Sequence, residues 1–166
     1  MDKTSDNNKD YFDPKHYNSI IIGEEEKKAS AKNKASLVAL LTDAHNRDVR
    51  EDVLKLIKNE PRALEFLVDA IEDKKLSKYK VEFLSACWES GIDCRSRLFY
   101  FVQLALNSDY LSCIEAFSVV DGMDMPLDQQ ELQKSIDHLQ SGIKGMADEK
   151  AKLLKELGLL LESYKE

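Results

Sequence analysis

Three cysteines, Cys87, Cys94 and Cys113, and three histidines, His16, His45 and His138, are the residues best suited to nucleophilic or metal chemistry in this chain. A cysteine nucleophile needs a base within hydrogen-bond reach and an electropositive setting. Cys94 comes nearest to the second requirement. It lies in Gly91-Ile92-Asp93-Cys94-Arg95 with Arg97 close behind, at an expected helix start. No histidine can be assigned to it, and Cys87 and Cys113 fall on apolar helix faces, where a thiol packs as a small hydrophobe. The cysteines lack Cys-x-x-Cys spacing, and the histidines lack the helical spacing of a metal pair. The acidic stretch Asp121-Gly122-Met123-Asp124-Met125-Pro126-Leu127-Asp128 fails as a calcium loop. Its glycine stands second rather than sixth and a proline interrupts it, so it reads as a turn that caps the following helix. Trp88, Phe99, Tyr100 and Phe101 suggest an aromatic cage. Spacing places all but Tyr100 on helix–helix seams, and Tyr100 is expected at the surface. No phosphate loop or nucleophile elbow occurs. The expectation is no catalytic residue, no cofactor and no metal.

The elements that must position these residues are helical. The chain has 166 residues, 43% hydrophobic and 33% charged, with three prolines and six glycines. Few breakers with many Lys, Glu and Leu is a helix-forming composition, and the hydrophobic share is enough for a core. A formal charge of −7 weighs against binding phosphate backbones, which needs a concentrated basic surface. An odd number of cysteines and a polar Met1–Asp10 stretch, with no apolar run of about 20 residues, lead us to expect reduced thiols in a cytoplasmic protein without membrane contact.

Residues 1–33 lack a helical pattern but contain Tyr11, Phe12 and Ile20-Ile21-Ile22, and are expected to form a disordered or extended N-terminal arm. From there to residue 125 the apolar residues fall in helical stripes. Leu37, Val38, Leu41 and Ala44 begin the series; Val49, Val53, Leu56 and Ile57 follow a break at His45-Asn46-Arg47. Leu64, Leu67, Val68 and Ile71 come next, opened by Pro61. Val81, Leu84, Cys87 and Trp88 follow, with Ser77 as expected N-cap. Leu98, Phe101, Val102 and Ala105 form the fifth stripe. Leu111, Ile114 and Phe117 form the sixth, capped by Ser108 or Asp109. No alternating run supports a strand.

The stripes recur. Leu37, Leu67 and Leu98 share one position; Val38, Val68 and Phe99 the next; Leu41, Ile71 and Val102 a third. In the second helices Val53, Leu84 and Ile114 align, as do Leu56, Cys87 and Phe117. A two-helix unit of this size cannot bury its own apolar face and must stack on its neighbours. Leu40-Leu41-Thr42-Asp43, Asp48-Val49-Arg50 and Val53-Leu54-x-Leu56-Ile57 resemble the HEAT repeat, in which a first helix ends Leu-Leu-x-Asp and Val-Arg opens the second. The usual proline between the helices is absent. The resemblance spans about 34–122 and implies an all-α, short α-solenoid of three helix pairs.

From residue 126 the spacing changes. Leu132, Ile136, Leu139, Ile143, Met146, Lys150, Leu153, Leu157, Leu160 and Tyr164 alternate steps of four and three, and only Lys150 is not apolar. The heptads allow one coiled-coil helix. Gly142 and Gly145, followed by Asp148-Glu149, favour a stop and a new start, giving a helical hairpin that caps the stack.

The resemblance also implies that the second helix of each pair lines a concave face. The off-core positions there are Arg50, Asp52, Lys55, Asn59, Lys78, Glu82, Ser85, Glu89, Ser112 and Glu115, of mixed charge. The expected function is a non-catalytic scaffold or adaptor that binds a protein partner, with Arg50, Asp52, Lys55, Asn59, Glu82, Glu89 and Glu115 as the candidate face. The alternatives are a HEAT-like enzyme acting on nucleic acid, or a regulatory subunit self-associating through 127–166. A monomer is expected.

Overall fold

The computed structural model describes residues 34–42 and 47–165, with side chains at 47–49 left aside. The expectations for the arm 1–33, for His16 and for the break around His45 lie outside the described residues. The chain divides into two compact units, Met1–Ser36 and Leu37–Glu166, and the second is the subject here. Its described residues hold no strand. Residues 34–42 are helical (α1). The other helices are α2 (Arg47–Asn59), α3 (Ala63–Glu72), α4 (Lys80–Glu89), α5 (Leu98–Asn107), α6 (Tyr110–Asp121), α7 (Gln129–Gly142) and α8 (Glu149–Ser163). Short 3-10 turns, Lys74–Tyr79 and Arg95–Arg97, lead into α4 and α5.

Consecutive helices pack as pairs, α3 on α4, α5 on α6 and α7 on α8. Alternate helices also touch. In one layer α2 meets α4, α4 meets α6 and α6 meets α8; in the other α5 meets α7. One apolar cluster runs through all of them, from Leu41, Val53 and Ile57 through Leu84, Phe101 and Val102 to Leu139, Leu157 and Leu161. No helix among the described residues is long and apolar enough to cross a membrane.

The starts of α6, α7 and α8 follow aspartate caps. Asp109, Asp128 and Asp148 each accept a hydrogen bond from the main-chain N–H three residues on, at 3.0, 2.8 and 2.8 Å. Ser77 does not cap α4. It falls inside the 3-10 turn, which Asp73 caps instead through the Lys75 N–H. The Asp109 cap is doubled by the Ser112 hydroxyl, which donates to the other carboxylate oxygen at 2.8 Å. The Ser112 N–H is the main influence that holds the Asp109 carboxyl below its ordinary value of 3.8. A depressed folded value means stability that is present above that ordinary value and fades as pH falls through the folded one. We therefore expect Asp109→Ala to cost about 1 kcal/mol near neutral pH. The difference from wild type should shrink in acid, as thermal melts at pH 7 and pH 3 would show.

The phase of some helices departs from the stripes. On α6 the buried residues are Ser112, Cys113, Ala116, Val119 and Val120, whereas Leu111 is 62% exposed and Ile114 and Phe117 are half-buried. Apolar residues surround this helix, so composition alone does not set its rotation; packing against α4, α5 and α8 does, with small side chains at the contacts. On α2, Val53 and Ile57 point inward one turn apart and Leu56 is 53% exposed.

The heptad region is two helices. Gly145 takes a left-handed φ of 83° in the turn, a conformation that favours glycine. Gly142 ends α7 where a Cβ would lie 2.3 Å from a Leu106 side-chain carbon. Once the helix stops, the second half is free to choose its own rotation. Ala151, Leu154, Leu157 and Leu161 are buried, Leu153 and Leu160 are half-buried, and Leu159 is exposed. Lys150, the one charged seam residue, sends its Nζ to the carbonyls of Leu106 (2.7 Å) and Ser108, where α5 ends. Carbonyls of the last helical turn have no partner within the helix, and a cation there also meets the negative end of the dipole.

Candidate functional site

The expected face residues do not stand as independent solvated charges. Arg50, on α2, crosses to α4 and grips Glu89 with two hydrogen bonds, Nε to Oε2 at 2.9 Å and Nη2 to Oε1 at 3.0 Å. The same Nη2 donates to Ser85 Oγ at 2.6 Å, and Ser85 donates in turn to the Glu82 carbonyl at 3.1 Å. Positions 85 and 89 share one helix face by their spacing, which is how two side chains of α4 meet one arginine. The planar guanidinium matches a carboxylate bidentately, so the pair fixes geometry as well as charge. From α4 the network continues to α6, where Trp88 Nε1 donates to Glu115 Oε2 at 2.8 Å.

The hydrogen bond to Glu89 raises the Arg50 pKa most; burial works against it, and the fields of Glu89, Glu82 and Glu115 add to it. One guanidinium thus answers three carboxylates, and the ridge as a whole is acidic. Glu82 Oε2 is buried with no hydrogen-bond partner among the described residues. Beside the ridge, Asp52 and Lys55 pair at 3.3 Å in the open, 79% and 70% exposed. Asn59 is exposed on the last turn of α2. A shallow groove of about 290 Å³ runs between Leu54, Lys55 and Lys58 of α2 and Glu89 and Ser90 at the end of α4.

Arg50, Glu82, Ser85, Glu89 and Glu115 are therefore brought together, while Asp52, Lys55 and Asn59 flank them. Two positions do not belong to the face. Ser112 is buried and committed to Asp109, and Lys78 lies in the 3-10 turn over the Tyr79 ring at 4.7 Å. Trp88, expected in the core, is 43% exposed at the centre of the ridge. Its neighbours Phe83, Leu84 and Cys87 fill the interior, which rotates position 88 outward. The spacing of Trp88 from Glu89 and Ser85 was the available signal.

The aromatic residues do not form a cage. Phe101 is in the core, and Phe99 meets His138 at 5.1 Å with Lys134 Nζ 4.1 Å from its ring centre. Tyr100 is half-buried rather than at the surface, and its hydroxyl donates to Glu72 at 2.8 Å. Burial, followed by that carboxylate, pushes the phenol well above its usual range. Cys94 is buried, and Arg95 turns away to bind Asp93 through two contacts of 2.9 and 2.7 Å. That ion pair lowers Asp93 to about 2.

Chemically, the ridge offers charge, hydrogen bonding and an indole, but no activated nucleophile. The Ser85 hydroxyl accepts from Arg50 and donates to a carbonyl, so no base stands ready to take its proton. Among the described residues no group of His, Cys, Asp and Glu is arranged to hold a metal ion. The chain matches no protein-family model, and no curated protein or solved structure resembles it significantly.

Proposed function

We propose that the chain is a short HEAT-like α-solenoid acting as a non-catalytic protein-interaction module, with a protein partner lying along the face of α2, α4 and α6. One observation carries the reading. Three second helices lie side by side and are cross-linked by side chains, Arg50 to Glu89 and Trp88 to Glu115, while Leu56, Trp88 and Leu111 stay exposed among the charges. A pre-ordered Trp and Arg within a polar surround is the composition in which binding energy concentrates at protein interfaces. Pre-ordering lowers the entropy lost when the partner docks. The acidity of the ridge suits a protein with exposed cations and disfavours a phosphate backbone.

The test is recovery of a stoichiometric partner on the tagged full-length chain from host cells, followed by the double variant Asp52→Lys, Trp88→Ala. Both side chains are largely outside the core, so the fold should survive, and far-ultraviolet circular dichroism checks that it does. Affinity for the recovered partner should fall about tenfold or more. Undiminished binding of every recovered partner overturns the assignment of the face.

A further inference from the structure

The turn that follows α4 and the turn that follows α6 share a cavity of about 170 Å³. Gly91, with a left-handed φ of 65°, swings the chain away as α4 ends, and Gly122 caps the end of α6; both line the cavity. Trp88, Ile92 and Met123 give it an apolar wall, and Asp93, Arg95 and Asp124 supply its charge. Sites that hold whole small molecules measure roughly 300–1,000 Å³. This one suits a single long side chain.

The charge of the wall is unbalanced. Arg95 is the one cation in the lining, and it is committed: its Nε and Nη2 hold the two oxygens of Asp93 at 2.9 and 2.7 Å. Asp124 is exposed and makes no hydrogen bond or ion pair among the described residues. With Asp93 and Arg95 cancelling, what remains is the Asp124 carboxylate and the negative ends of two helix dipoles. The end of α5 has the same need and meets it internally, with the Lys150 ammonium on its last carbonyls. At the end of α6 the Val120 and Asp121 carbonyls take the neutral Tyr164 hydroxyl instead.

We propose that this cavity receives an arginine side chain of the protein partner, its guanidinium meeting the Trp88 indole and the Asp124 carboxylate. The inference rests on the reading of α2, α4 and α6 as an interaction face and gives that face an anchor, because Trp88 belongs both to the ridge and to the cavity wall. The chemistry selects arginine over lysine. A guanidinium is planar, stacks on an aromatic face and takes a carboxylate through two parallel bonds. It is also more weakly hydrated than an ammonium, so a partly apolar wall costs it less. The indole is held in place beforehand by its bond to Glu115.

Trp88 is the only tryptophan in the chain, so intrinsic fluorescence reads the cavity directly. The full-length chain is titrated with N-acetyl-arginine methylamide and, at the same ionic strength, with its citrulline counterpart, which has nearly the same shape and no charge. The arginine probe should change the emission saturably in the millimolar range, and the citrulline probe should not. Asp124→Asn should weaken the arginine probe by about tenfold, and Asp124→Lys should abolish its binding. Asp124 is exposed, so both variants should keep the wild-type circular dichroism. An equal response to both probes, a response that never saturates, or an unchanged affinity in Asp124→Asn overturns the proposal. The probe needs no partner, which separates the two readings. A recovered partner without probe binding removes the anchor and leaves the face; probe binding without a recoverable partner keeps the guanidinium site and removes the protein that was to fill it.

Discussion

Phe101→Ala should destabilise the protein by about 3–5 kcal/mol, lowering the melting temperature by roughly 10–20 °C. Phe101 is completely buried on α5, which packs against both α6 and α7, and it meets the Tyr100 ring edge-on at 5.3 Å. Truncation removes the transfer free energy of the ring and leaves a cavity bounded by helices that cannot collapse independently. Because domains of this size have a total stability of about 5–15 kcal/mol, much of the margin is lost. Leu111→Ala is the control. The stripe Leu111, Ile114 and Phe117 puts that residue inward, whereas at 62% exposure it should shift stability by no more than about 0.5 kcal/mol. Urea unfolding of the two variants side by side checks both statements. Equal costs would mean that α6 is rotated from its described orientation.

Lys150→Met should cost about 2–3 kcal/mol, although it replaces a charged residue by an apolar one of similar length on a seam that is otherwise apolar. The Nζ donates to Leu106 and Ser108, and hydrogen bonds to a charged group are worth more than neutral ones. Removing the donor leaves two partly buried carbonyls of the α5 terminus without a partner. The loss should be local as well as global. Hydrogen exchange should quicken at the end of α5 and the start of α8 before it quickens elsewhere. A Met variant as stable as wild type would show that those carbonyls are adequately solvated.

The same residue illustrates what a sequence can and cannot disclose. Heptad spacing marks Lys150 as the one flaw in a seam, because spacing records only which residues share a stripe. Its partners are 42 and 44 residues earlier, so its role exists only after α5 and α8 have docked. Helix existence was legible wherever breakers and caps agreed with the period, as at Asp109, Asp128 and Asp148. Rotation was not, where apolar residues cover more than one face: Leu56 against Ile57, Leu111 against Ser112 and Cys113, Leu153 against Leu154.

The candidate face divides along the same line. That Arg50, Glu82, Glu89 and Glu115 lie off the core follows from their position in each repeat. That one arginine ties Glu89 and Ser85 together, and that Trp88 stands among them, depends on the approach of α2 and α6 to α4.

The most direct test of the interaction face is site-specific photocrosslinking. A photoreactive residue replaces Lys55 beside the ridge or, as a control in the other layer, the exposed Gln103 of α5. Illumination with the recovered partner should give a discrete adduct from position 55, suppressed by excess untagged protein, and none from position 103. Adducts from position 103 alone would contradict the account and place the partner on the opposite layer of helices.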